Sequence, residues 1–216
     1  MTTRRCREPA LRRLHRLSAV LIALFAAVHL ANHLAALRGI DAHIAFMEAA
    51  RVVYRQPLVE AVLLACVAFQ VASGLTLVLR GWRERRGVVA WLQAGAGAYL
   101  ALFLLIHVSA ILFGRIGLDL DTNFWYGAAG FHVPPYPLFF VPYYFLAVVA
   151  LFAHLACARY WGAHAAGRRP GMATIALPTL AGTAIGIAIV LLFAGAFYPV
   201  NVPVEYKATY SRFAWR

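Results

Sequence analysis

The chain has 216 residues, of which 63% are hydrophobic and only 13% are charged. An average soluble domain carries about 25% charged residues, so this composition excludes an ordinary soluble protein and indicates an integral membrane protein. The formal charge of +12 would suit nucleic-acid binding, but the arginines lie beside the apolar segments, where membrane insertion places them. We therefore expect membrane lipid as a partner and no nucleic acid.

Five apolar segments are long enough to cross a bilayer, which takes about 20 helical residues. They cover residues 17–37, 58–80, 89–113, 137–161 and 173–197. The predicted fold is an all-α integral membrane protein, a five-transmembrane-helix bundle in which the first four helices surround a site and the fifth packs outside. The predicted divisions are a basic cytoplasmic tail (1–16), the bundle (17–198) and a periplasmic tail (199–216).

The arginines predict the direction of insertion. Thirteen lie in the N-terminal segment, the second-to-third loop and the fourth-to-fifth loop, whereas the other seven basic residues are mixed with five acidic ones. Because positive charge is retained on the cytoplasmic side, we expect a cytoplasmic N-terminus, a periplasmic C-terminus and a multi-pass location in the bacterial inner membrane.

The first span concentrates its polar residues on one face. In a helical projection at 100° per residue, six residues fall within about 40° of one line along the helix and form a stripe, namely His15, Ser18, Ile22, His29, His33 and Ala36. The opposite face has only apolar residues, namely Val20, Ala23, Leu24, Ala27 and Leu34. An imidazole that faced hydrocarbon would leave its nitrogens unpaired, at a cost of several kcal/mol. The stripe is therefore expected to face the bundle interior, and the other face to contact lipid.

Two periplasmic segments carry further patterns. Apolar residues recur at helical spacing around residues 43–54, which predicts a short interfacial helix. Residues 119–144 are rich in aromatic residues and proline, which favours an interfacial belt at the headgroup level. The alternative for this segment is a surface for a quinone or a partner.

Depth in the membrane sorts the histidines. His29 and His107 lie at a similar depth in the outer half of the bilayer, and His154 lies in the inner half, where Gln70 has the matching depth on the second span. The loop residues His43, His132 and His164 are expected to be solvated.

Two imidazoles from different helices at one depth are what a bis-histidine b-type haem requires, so His29 and His107 are the predicted ligands. Each could instead be a hydrogen-bonded bundle residue, a proton relay or a substrate contact. His33, one turn beyond His29, could contact a propionate, replace a ligand or only form a hydrogen bond across helices.

Four short motifs suggest a family. They are RRLH at 12–15, HLAN at 29–32, PLVE at 57–60 and SGLTLVLRG at 73–81, followed by a histidine late in the third and fourth spans. Over residues 11–197 the chain resembles the single-chain, five-helix cytochrome b membrane anchor of succinate dehydrogenases and fumarate reductases. The resemblance implies two haems, a quinone site, and cytoplasmic flavoprotein and iron-sulfur subunits. It matches His29 and His107 to the outer haem and His154 to the inner one, and likens His15, Arg12 and Ser18 to family groups near the cytoplasmic surface.

The remaining inner ligand position falls on Gln70, and glutamine is not a usual haem ligand. An alternative ligand such as His15 or His33, a one-haem relative, or a relative without redox function would each account for this. For the cluster of His15, Arg12 and Ser18, a group of interfacial side chains that reach the headgroups is the alternative. We expect one haem b. A second haem would need a ligand other than Gln70, and quinone is a further candidate to bind.

The function expected from these features is electron transfer between quinone and a redox partner, without chemistry of the protein's own. A different class remains open, namely a non-catalytic accessory subunit that supports a larger membrane complex with one or no haem. A small transporter or proton path through His29, His33, Glu60 and His154 is a third reading, and it lacks the inverted repeat typical of transporters.

Overall fold

The computed structural model describes residues 2–211, with side chains described for residues 10–210, and no strand occurs within this part of the chain. Its α-helices are α1 (Thr2–Ala35), α2 (Ile40–Tyr54), α3 (Pro57–Arg80), α4 (Val88–Leu112), α5 (Phe124–Ala129), α6 (Pro137–Ala165), α7 (Ala173–Phe193) and α8 (Val204–Ser211). A 3-10 turn (Ala36–Arg38) follows α1, and a π-helical turn (Phe113–Gly117) extends α4.

Within residues 2–211, five helices are long and apolar enough to cross a membrane, as the sequence predicted. The candidate spans are Ala10–Arg38, Pro57–Arg80, Val88–Gly117, Pro137–Ala165 and Ala173–Phe193. The first helix begins at Thr2, so the basic segment before the first span is part of the same helix. The last helix ends at Phe193, four residues before the predicted end, and Gly195 follows with a φ of +79° that interrupts helical geometry.

Proline and glycine set the borders of the helices. Pro57 and Pro137 stand at the first turns of α3 and α6, where a missing N–H removes no helical hydrogen bond. Gly39 and Gly87 have φ values of +114° and +80° immediately before α2 and α4. Because side-chain-bearing residues rarely adopt such angles, these two glycines separate consecutive helices.

The spans pack in a closed order. Helix α1 packs on α3, α3 on α4, α4 on α6 and α6 on α7, and α7 returns to touch α1. The most extensive contact between spans is that of α6 with α7, where a Cβ at Gly182 would lie 2.6 Å from Phe152 Cβ. Such small residues let membrane helices approach closely. Helices α1 and α4 barely touch and face each other across the bundle.

One end of the bundle is covered by α2, α5 and α8, and we call it the α2 end. The predicted interfacial helix is present as α2. Residues 119–144 do more than form a belt, because Phe124 and Ala128 are fully buried and pack with Phe193 in the largest apolar cluster of the described chain. On the face of α1 that was expected to contact lipid, Val20 and Leu24 are 58% and 62% exposed. Leu34 was assigned to the same face and packs instead against the apolar cluster, because the α2 end covers this part of α1.

Candidate functional site

Two imidazoles meet across the bundle near its α2 end. The ring centres of His29 on α1 and His107 on α4 are 6.0 Å apart, with an angle of 66° between the ring planes. Phe25 stacks on His29 at 5.7 Å, and Phe103 stacks on His107 at 5.0 Å. This arrangement agrees with the prediction from the sequence that the two histidines lie at one depth and face each other.

Two more histidines extend this group, and we call His29, His33, His43 and His107 the histidine cluster. His33 Nε2 lies 3.1 Å from His29 Nε2, and His33 Nδ1 lies 3.3 Å from His43 Nε2. Each neutral imidazole has one donor and one acceptor nitrogen, so His33 can serve both neighbours at once. It therefore connects the α1 face of the site to α2.

His43 was expected to be solvated, and that expectation is wrong. Its side chain is only 2% exposed, and its Nε2 accepts a hydrogen bond of 3.3 Å from Asn32 Nδ2. Burial, together with His29 and Arg51, lowers its pKa to about 4. The signal was present in the sequence, because His43, Met47 and Arg51 repeat every four residues and form the buried face of α2.

The spacing of His29 and His107 suits two axial ligands of a haem. Metal–nitrogen bonds of about 2 Å, plus about 1 Å from each nitrogen to its ring centre, place two such rings about 6 Å apart. His107 forms no hydrogen bond within the described residues, so its nitrogens are free for ligation. His29 would exchange its contact with His33 for the metal.

A small cavity lies beside His29, is lined also by Asn32 and Tyr54, and measures about 10 Å³, which is room for one water. Helices α1 and α4 barely touch, so a porphyrin held by His29 and His107 would lie between them. Within the described part of the chain, no three His, Cys, Asp or Glu residues are placed to hold a metal ion. A bis-histidine haem would take only two protein ligands, which His29 and His107 could supply.

A second group lies nearer the N-terminal end of the bundle, and we call His15, Ser18, Gln70, Ser73 and His154 the polar cluster. Gln70 Nε2 donates to the carbonyl oxygen of His15 at 2.7 Å and to Ser18 Oγ at 2.6 Å. Both amide protons are thus used to join α3 to α1. Gln70, which has the depth of His154, therefore links α3 to α1 by hydrogen bonds.

The hydrogen bonds of the polar cluster assign the tautomers of both histidines. His154 Nδ1 donates to the carbonyl oxygen of Gln93 at 3.0 Å. His15 Nδ1 lies 2.7 Å from Ser73 Oγ, and the Ser73 hydroxyl donates to the carbonyl oxygen of Phe69, so His15 must be the donor. A neutral histidine with a proton on Nδ1 has its lone pair on Nε2, and neither Nε2 has a partner among the described residues. Metal-ligating histidines commonly have this arrangement.

The remaining residues singled out in the sequence lie toward the two ends of the bundle. Arg12 is exposed at the start of the first span. His164 is exposed as expected. His132 is half-buried and lies 2.8 Å from the carbonyl oxygen of Phe193, so the expectation of a solvated residue is wrong there too. At the same end, Arg115 pairs with Glu60 and ties α4 to the start of α3.

Comparison with family models, with curated proteins and with solved structures gives no match for this chain.

Proposed function

We propose that this chain is a membrane-bound b-type cytochrome that passes electrons between quinone and a redox partner, and that His29 and His107 hold its haem. The observation that carries the proposal is the 6.0 Å separation of two imidazole rings that come from opposite helices of the bundle. Packed rings commonly lie about 4.5–7 Å apart, so the spacing supports the proposal together with the origin of the rings on two helices that barely touch and the absence of a hydrogen bond from His107 within the described residues.

When bound, haem supplies a reversible one-electron couple. The chain's own residues determine how that couple is held. His33 and His43 join α1 to α2 beside the His29 ring. Phe25 and Phe103 stack on the two ligand rings and limit their rotation. Apolar burial excludes water and so raises the energy of any additional charge at the site.

A second haem, if one binds, would use His15 and His154 in place of the pair of Gln70 and His154. The free Nε2 atoms of His15 and His154 support this choice, and the engaged amide of Gln70 disfavours the other. The outer pair remains the basis of the proposal because its ring spacing matches axial ligation directly.

The proposal extends to orientation and partners. The arginine distribution supports a cytoplasmic N-terminus in a bacterial inner membrane. The resemblance to the succinate dehydrogenase and fumarate reductase anchor suggests flavoprotein and iron-sulfur subunits as partners at that end. A non-catalytic accessory subunit is the rival proposal, and a protein that folds fully without binding haem would favour it.

Haem content tests the proposal. Detergent-purified chain is expected to show a low-spin b-type spectrum, with stoichiometry measured as pyridine haemochrome per chain. His29→Ala and His107→Ala are expected to remove this haem, whereas His154→Ala leaves it. His164→Ala is the matched control, because His164 is exposed and far from both clusters. A folded, colourless wild-type protein would refute the electron-transfer proposal.

A further inference from the structure

A groove opens at the N-terminal end of the bundle between the end of α6 and the start of α7. Its volume is about 480 Å³, and its lining includes Arg159, Arg168, Arg169 and Thr174. Ligand sites in proteins commonly have volumes of about 300–1,000 Å³. The groove is therefore large enough to hold a phosphorylated headgroup.

The arginines of this groove have no acidic partner in the part of the chain whose side chains are described. Within the described residues, none of the three guanidinium groups forms a hydrogen bond or an ion pair. The sequence contains no Asp or Glu between Asp121 and Glu205. Three unneutralised cations at one opening repel one another, and an anion that binds among them removes this repulsion. Arginine also matches the geometry of phosphate oxygens with paired N–H donors.

Exposed apolar side chains continue from the groove toward the membrane interior. Leu155 is one turn deeper than Arg159 on α6 and is 41% exposed, and Leu177 follows Thr174 on α7 and is 66% exposed. Because the walls are the ends of two membrane spans, the groove lies at headgroup level. A cationic opening above an apolar surface matches an amphiphile with an anionic head and hydrocarbon tails, whereas a free phosphate would use only the upper part.

We propose that this groove is a binding site for an anionic phospholipid, with its phosphate among Arg159, Arg168 and Arg169 and its acyl chains along Leu155 and Leu177. Basic pockets between membrane helices are known to hold such headgroups. The site is independent of the haem proposal, because it lies on α6 and α7 at the end of the bundle away from the histidine cluster.

Native mass spectrometry of the full chain in detergent tests this site, with phosphatidylglycerol, phosphatidylcholine or inorganic phosphate added separately. Phosphatidylglycerol is expected to remain bound to the wild-type chain in preference to phosphatidylcholine. Each arginine is expected to contribute about fivefold in affinity, so Arg159→Gln, Arg168→Gln and Arg169→Gln together should weaken binding about a hundredfold.

The matched control removes the same charge from the other loop at this end, by Arg80→Gln, Arg83→Gln and Arg86→Gln. It is expected to retain the lipid. If the control variant loses phosphatidylglycerol to the same extent, the lipid is attracted by the overall positive charge and the site is overturned. Equal retention of phosphatidylcholine by the wild-type chain, or displacement of the lipid by inorganic phosphate, would also overturn it. If the triple variant does not fold, the single variants decide, and three unchanged affinities would overturn the proposal.

Discussion

Gly97→Ala is a sharp probe of how His154 is held. A methyl group at Gly97 would lie 2.9 Å from Cε1 and 3.2 Å from Nδ1 of His154, and ordinary contact begins at 3.4 Å. The ring would have to move away and stretch its 3.0 Å bond to the Gln93 carbonyl oxygen. Loss of that bond costs about 1 kcal/mol, and overpacking adds about 1–3 kcal/mol. The gain in helix propensity offsets about 1 kcal/mol, so we expect a net destabilisation of about 1–3 kcal/mol.

The same helix provides the control. A Cβ at Gly95, two residues away, meets nothing within 4 Å, so Gly95→Ala should be neutral or slightly stabilising. Unfolding in mixed detergent and sodium dodecyl sulfate measures both variants. In the double variant Gly97→Ala with His154→Ala, the clash is absent and most of the loss caused by Gly97→Ala should disappear. Equal stability of Gly97→Ala and Gly95→Ala would refute the placement of His154 against α4.

Three further predictions concern the contacts between helices. Gln70→Ala removes two hydrogen bonds and should lower the free energy of unfolding by about 1–2 kcal/mol without changing haem content. Arg115→Gln leaves the Glu60 carboxylate unpaired at the end of a span and should cost about 1–2 kcal/mol, which a double variant with Glu60→Gln should restore. The pKa of His43 is about 4 in the folded chain, against its ordinary value of 6.5 in the unfolded chain. Because the unfolded chain binds this proton first, the free energy of unfolding should fall as the pH drops from about 6.5 to about 4. Thermal melts across this pH range should show a smaller fall in His43→Asn.

The topology followed from the sequence because its signals are long and redundant. Each span is a continuous apolar segment, and proline or glycine with unusual φ marks several of the borders. Helix α2 was predictable from its periodicity. The depths of His29 and His107 could also be read, because rise per residue converts position directly into depth.

The depth of a residue in the membrane does not determine how its helix is rotated about its axis. The contacts that the sequence analysis did not predict depend on this rotation or on how connecting segments fold back over the bundle. Gln70 has the depth of His154, but its amide points to α1 and bonds the His15 carbonyl oxygen. His43 was assigned to solvent because it lies in a connecting segment, although the connecting helix folds back over the bundle and buries it. The path of residues 119–144 over the α2 end depends on contacts such as Phe124 with Phe193, which no local pattern specifies.

The most direct measurement of the central claim is the axial ligation of iron in the purified chain, by magnetic circular dichroism of the oxidised protein. Ligation by His29 and His107 predicts the signature of two imidazoles on a low-spin iron, and loss of one haem's share of that signature per chain in His107→Ala but not in His164→Ala. A folded wild-type chain without the signature, or a signature whose intensity per chain is the same in His29→Ala, His107→Ala and the wild type, would contradict the account.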